Sequence, residues 1–240
     1  MSLLPILIFS PSILLIVAAI IPAIALLIYV YKQDKLEKES WNLILKLVLF
    51  GALSTLLAQL TETLGIAALP YMFTEGSRKY NIALYYVVVA ISEEGFKYMI
   101  LKWRTWNSSE FNCRFDGVVY AASVSLGFAL WENISYVLSY GVSAALTRAV
   151  TAVPGHACFG VFMGAFYGAA RLFAVRSNPS SAKLCHILAI AVPVILHGTY
   201  DYIASGSTGS QWLFIAFIAV MFFVAYRFVG RLSRNDRYLY

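Results

Sequence analysis

Residues 91 to 97 read Ile-Ser-Glu-Glu-Gly-Phe-Lys, which places two adjacent carboxylates and an ammonium in a stretch otherwise apolar enough to span a bilayer. An ionised side chain near a bilayer centre costs at least roughly 2.5 to 3.5 kcal/mol on insertion scales, so charge at such depth points to a function. Glu93 lies four residues and Glu94 three residues before Lys97. On a helix, one ammonium therefore serves both carboxylates on a shared face. The two carboxylates repel one another and compete for that ammonium, the arrangement of a general base.

Three more polar motifs occupy the apolar stretches that follow: Glu132-Asn133, the solitary His156, and His197 with Asp201 one turn later on the same face. Counted from the outer ends of their spans, Glu132, His156 and His197 lie roughly 10 Å deep at 1.5 Å rise per residue. They share one layer, with Glu93 and Glu94 slightly deeper and within side-chain reach. His186 precedes His197 by eleven residues, roughly 16 Å along a helix axis, and depth excludes it. His156, Gly160, Gly164 and Gly168 recur every four residues, a small-residue ridge that lets helix backbones approach closely. Such a ridge would bring His156 against the helices carrying Glu132 or the glutamate pair.

Amide hydrolysis needs a base for the water, a stabiliser for the oxyanion and an acid for the leaving amine. Glu93 or Glu94 could be the base, His197 and Asn133 could stabilise the oxyanion, and a protonated carboxyl or His156 could be the acid. A metal version stands equally open, because two histidines and one carboxylate form a catalytic zinc set with a fourth position for water. His156, His197 and Glu132 would then hold one zinc ion, with Asp201 orienting His197. Spacing does not decide between the two, since the ligands come from three helices. Structural readings compete: an ion-pair cluster for Glu93, Glu94 and Lys97, a self-satisfied pair for His197 and Asp201, interhelical glue for Asn133. A proton- or ion-coupled transporter using the same residues as a relay is a further alternative. It predicts halves with broken helices in corresponding positions, and no such repeat is visible.

The elements that must position these groups are membrane helices. The chain is 60% hydrophobic and 12% charged, with a mean hydropathy of +0.74, far from a soluble domain. We expect an all-α polytopic bundle of about seven spans, near 5–31, 41–60, 81–101, 115–138, 149–171, 184–204 and 211–230. The first has no basic residue before it and runs past Pro22 to Lys32-Gln33-Asp34-Lys35, which reads as a retained helix rather than a cleavable signal. Lys32, Lys35, Lys38, Lys102, Arg104, Arg114, Arg171, Arg176, Lys183, Arg231, Arg234 and Arg237 fall at one set of ends, against Arg78, Lys79 and Arg148 at the other. That asymmetry predicts the amino terminus outside and the carboxyl terminus in the cytoplasm. The net charge of +6 is then a topology signal and requires no nucleic acid partner. Cys113, Cys158 and Cys185 match no disulfide or zinc pattern and read as packing residues. Asp116 is expected to cap the fourth span, Trp41, Trp103 and Trp212 to anchor at interfaces, and 61–80 to form the sizeable outer loop.

Glu93-Glu94-x-x-Lys97, Phe128-x-x-x-Glu132-Asn133, His156 and His197-x-x-x-Asp201 resemble the motifs of the PrsW intramembrane proteases, and more distantly those of the CAAX-processing and bacteriocin-processing membrane endopeptidases. The resemblance covers roughly residues 80–204, a four-helix catalytic core within a single membrane domain of residues 1–240. Residues 1–60 and 211–240 would be peripheral helices. The resemblance implies hydrolysis of a peptide bond in or near the membrane, with the glutamate pair activating water. Glu93, Glu94, Glu132, His156 and His197 would be catalytic, supported by Lys97, Asn133 and Asp201. In the distant relatives the first motif ends in Arg after three intervening residues and the second ends in His, where this chain has Lys97 and Glu132. Taken with the depth of the cluster, the expected reaction is site-1-type cleavage near the outer membrane surface of a prokaryotic cell. The substrate would be a membrane-anchored protein such as an anti-sigma-factor-like regulator.

Overall fold

A computed structural model describes residues 11–240, so the first six positions of the first expected span lie outside the described residues. Among the described residues, the chain is helical and no strand forms. The helices are α1 (Pro11–Gln33), α2 (Trp41–Ala68), α3 (Arg78–Ile82), α4 (Ile91–Thr105), α5 (Asp116–Tyr140), α6 (Val142–Val150), α7 (Ala152–Val175), α8 (Pro179–Ala204) and α9 (Gln211–Arg234). A π-helical segment, Ala83–Ala90, joins α3 to α4 in one continuous rod. The starts follow from side-chain oxygens that satisfy otherwise orphaned amides. Ser40 accepts from Leu43 N–H before α2, Asn178 from Ser181 N–H before α8, and Ser210 from Leu213 N–H before α9.

Among the described residues, four stretches are long and apolar enough to cross a membrane: Trp41–Tyr71, Val142–Val175, Pro179–Ala204 and Gln211–Arg234. The rod of residues 78–105 and α5 have comparable lengths but carry the polar motifs. Burial runs opposite to that of a soluble protein. Leu45, Leu49, Leu56, Leu60 and Leu64 line an outward face of α2, while Glu93, Glu94, Lys97 and Asn133 are buried. Such an outside suits hydrocarbon, where helices complete their own backbone hydrogen bonds.

α5 is the central helix, packed by α7, α2 and α1. The glycine ridge of α7 sets its distance from α5: a Cβ at Gly164 would stand 2.3 Å from the Gly117 carbonyl oxygen. On the other side, Gly51 of α2 faces Val124 of α5 with equally little room. Two close backbone approaches therefore fix α5 between α2 and α7.

Several boundaries differ from the sequence reading. Residues 61–80 are not a long loop, because α2 continues to Ala68 and a 3-10 turn follows at Leu69–Tyr71. Between the fourth and fifth expected spans an additional short helix, α6, begins at a corner where Gly141 adopts φ +78°. Asp116 does not cap α5. Its Oδ2 instead accepts from the upstream amides of Asn112 and Cys113, at 3.0 and 2.6 Å. The three cysteines are free and buried, as packing residues would be, and Trp41, Trp103 and Trp212 are exposed.

The arginine- and lysine-rich end is one place in space. Arg114 N–H donates to the Arg237 carbonyl, Leu239 N–H to that of Asn112, and the Ser233 hydroxyl to that of Gln33. The α1–α2 and α4–α5 connections and the carboxyl-terminal tail thus close the same end of the bundle.

Candidate active site

Lys97 sits at the centre of the polar cluster, fully buried. Its ammonium donates to Glu93 Oε2 at 3.0 Å, Glu94 Oε1 at 2.8 Å and His156 Nδ1 at 3.0 Å. Those three acceptors use all three ammonium hydrogens, and the Phe128 ring covers the charge at 4.0 Å. Because Lys97 donates to Nδ1, the neutral His156 ring carries its hydrogen on Nε2, which donates to Glu132 Oε2 at 2.9 Å. The Arg148 guanidinium stands 2.9 Å from the same Glu132 oxygen.

His197 extends the cluster on its other side. Its Nδ1 is 2.9 Å from Glu94 Oε1 and its Nε2 3.3 Å from Asp201 Oδ2. Phe159 stacks on the ring with centroids 4.8 Å apart. An unbroken series of polar contacts therefore runs Arg148, Glu132, His156, Lys97, Glu94, His197, Asp201, through residues of α4, α5, α6, α7 and α8. The ridge accounts for one of its joints: where α7 closes on α5, the Ser125 hydroxyl donates to the His156 carbonyl at 2.7 Å. His186 lies outside the series, 2.5 Å from the Tyr98 hydroxyl, as its depth requires.

A cavity of about 250 Å³ opens beside the series. Glu93, Glu132, His156, His197 and Asp201 line it, whereas Glu94, Lys97 and Asn133 do not. Asn133 is fully buried and committed elsewhere: its amide donates to the Ala19 carbonyl at 2.8 Å, and its Oδ1 accepts from Arg148 Nε at 3.2 Å. Two charged lining residues escaped the sequence reading. Glu62 falls on turns of α2 where the sequence suggests a loop, and Arg148, in sequence only a topology charge, supplies the cation that Glu132 lacks among its chain neighbours. The signal for Glu62 was an acidic residue following an apolar span. None pointed to its partners.

Glu93, Glu94, His156 and His197 each present a nitrogen or oxygen such that all four atoms lie within 4.8 Å of one another. The donor set, two imidazoles with carboxylates, suits a zinc-like ion, and Glu94 Oε2 is buried without a partner. The residues fit a metal. Glu132, the carboxylate of the expected set with His156 and His197, is not among the four, whose carboxylates come from the glutamate pair. Lys97 already contacts three of the four, so ammonium and ion compete for the same donors.

Comparison with known proteins places this geometry. The sequence profile of the PrsW family intramembrane metalloproteases matches residues 39–227. The chain belongs to that family. A Protease PrsW of Oceanobacillus iheyensis is 33% identical over 224 residues, covering 91% of this chain and 95% of the relative. That of Geobacillus kaustophilus is 36% identical over 195 residues, 79% of each chain. That of Bacillus subtilis is 33% identical over 203 residues, 82% of this chain and 84% of the relative. No solved structure matches. The chain is therefore a peptidase and a multi-pass membrane protein of a prokaryote. Its PrsW family match begins at residue 39, so it takes in α2 and Glu62, and ends within α9.

Proposed function

We propose that this chain cleaves a membrane-anchored protein close to the outer membrane surface, a site-1-type cut, with Glu93 as the base that activates water. One observation carries the assignment of the base: Glu93 reaches the cavity while its neighbour Glu94 is sealed behind it with Lys97. Lys97 and His197 fix Glu94, and Lys97 holds Glu93 from the side away from the cavity. Glu93 takes a proton from the water as the hydroxyl oxygen attacks the scissile carbonyl carbon. Arg148, which lines the cavity, presents donors to the developing oxyanion in place of Asn133. Glu93 then returns that proton to the amine as the carbon–nitrogen bond breaks, beside His197, which is held by a carboxylate at each ring nitrogen. Glu132 aligns His156 and Arg148.

Glu94, His156 and His197 are the residues that would hold a zinc ion. When bound, such an ion polarises the scissile carbonyl and acidifies the water. The outer-surface assignment rests on the cavity being lined from the ends of α2, α5 and α8 that lie opposite the arginine- and lysine-rich end. A substrate of the anti-sigma-factor type, with one span and an external domain, suits a cavity so placed.

The test is cleavage of a single-span reporter by the full chain in liposomes. Glu93→Gln should abolish turnover while leaving the protein folded. Undiminished cleavage by folded Glu93→Gln overturns Glu93 as the base, and undiminished cleavage by Glu94→Gln as well sinks the glutamate mechanism.

A further inference from the structure

The arginine- and lysine-rich end carries a second buried acidic group, far from the peptidase cavity. Asp34 and Glu39 lie in the connection between α1 and α2, and Asp116 opens α5. One carboxylate oxygen from each lies within 4.8 Å of the other two. All three are at least nine-tenths buried, at 1%, 5% and 1% exposure.

What separates this group from an ordinary acidic cluster is its unanswered charge. Both oxygens of Asp34 are buried without a hydrogen-bond donor, as are Asp116 Oδ1 and, beside them, Asp236 Oδ2. Among the described residues, no ion pair involves any of the four. Lys38, adjacent to Glu39 in sequence, turns to the backbone carbonyls of Tyr31 and Asp34. Two oxygens are already placed: Tyr120 donates to Glu39 Oε2 at 2.5 Å, and Asn112 and Cys113 amides hold Asp116 Oδ2. Buried carboxylates in this state demand a cation or a proton.

We propose that Asp34, Glu39 and Asp116 form a binding site for a hard divalent cation of the calcium or magnesium class. Every donor is oxygen, the preference of such ions, and no imidazole or thiolate in the group favours zinc. The ion would tie the α1–α2 connection to the start of α5. The carboxyl-terminal tail joins the same junction, because Asp236 accepts from Phe115 N–H at 2.8 Å. Its role would be structural, fixing the far end of the helix that carries Glu132. The alternative is protonation, since burial pushes the Glu39 carboxyl up to about 9 and that of Asp34 up to about 6.

Terbium, a luminescent probe of oxygen-ligand sites, distinguishes the two in the full chain in detergent. Tyr120, bonded to Glu39, is placed to sensitise it. Saturable tyrosine-excited luminescence is expected, displaced by calcium or magnesium. It should be weakened at least about tenfold in affinity by Asp34→Asn and by Glu39→Gln, and retained in Glu94→Gln. Asp34→Asn removes no hydrogen bond, and Glu39→Gln keeps an acceptor for Tyr120, so both variants should fold. Absence of saturable luminescence in the unaltered chain, or a signal lost with Glu94→Gln and kept with Asp34→Asn, overturns the proposal.

Discussion

Lys97 and His156 are 59 positions apart in the chain and 3.0 Å apart in space, ammonium to Nδ1. That contact joins the glutamate pair of α4 to Glu132 of α5 through an imidazole on α7, so one cation organises both acidic halves of the site. Removing it leaves two buried carboxylates facing one another. A buried ion pair broken on one side typically costs about 3 to 5 kcal/mol. Lys97→Met should therefore lower the thermal midpoint as well as abolish cleavage. A variant with unchanged melting and full activity would show that the ammonium organises nothing.

Lys97 also occupies donors that an ion needs. Elemental analysis of the purified chain should find about one zinc per protein, lost in His156→Ala. Folded Lys97→Met should retain or gain metal, because the competing cation is gone. Active protein without stoichiometric metal would leave the glutamate-only mechanism standing.

Glu132 and Arg148 meet at 2.9 Å on the cavity wall. Charge neutralisation of either should impair turnover, and the two effects should not add. A double-mutant cycle on kcat/KM with Glu132→Gln and Arg148→Gln should give a coupling of roughly 0.5 to 3 kcal/mol. Full additivity would separate Arg148 from the site.

The α7 ridge makes a prediction remote from the chemistry. A Cβ at Gly164 would meet the Gly117 backbone at 2.3 Å, and backbone cannot step aside as a side chain can. Gly164→Val should cost more than the roughly 1 to 3 kcal/mol of ordinary overpacking and should reduce cleavage by moving His156 away from Glu132. Parallel melting and activity measurements check both effects.

How much of this was legible in the sequence follows from what each signal depends on. The glutamates, Lys97, His156 and His197 were legible because charge inside an apolar span is conspicuous, and the ridge because a period of four survives in any helix. Glu62 and Arg148 were not, since each sits near the end of an apolar stretch, where charge is ordinary. Whether such a residue faces lipid, water or the site depends on tertiary packing. Helix α2 running to Ala68 changed the place of Glu62 from loop to wall. Asn133 shows the same dependence: its depth in the span is legible, but only packing shows that its face of α5 turns to α1 and Arg148. The π-helical segment before the glutamate pair widens the turn locally, and Ala83–Ala90 shows no composition that would announce it.

The side from which the substrate enters follows from where the cavity opens. Glu62, Tyr136 and Tyr200 line the cavity near the end opposite the arginine- and lysine-rich connections. If basic connections face the cytoplasm, that cavity is approached from outside. Tyr136 is 40% exposed, and the native cysteines are all buried, so a single Tyr136→Cys offers a clean label site. In intact cells a membrane-impermeant maleimide should modify it, while a cysteine replacing Lys35 should react only after lysis. Labelling of Cys at position 35 in intact cells, with position 136 protected, would reverse the orientation and move the proposed cut to the cytoplasmic face.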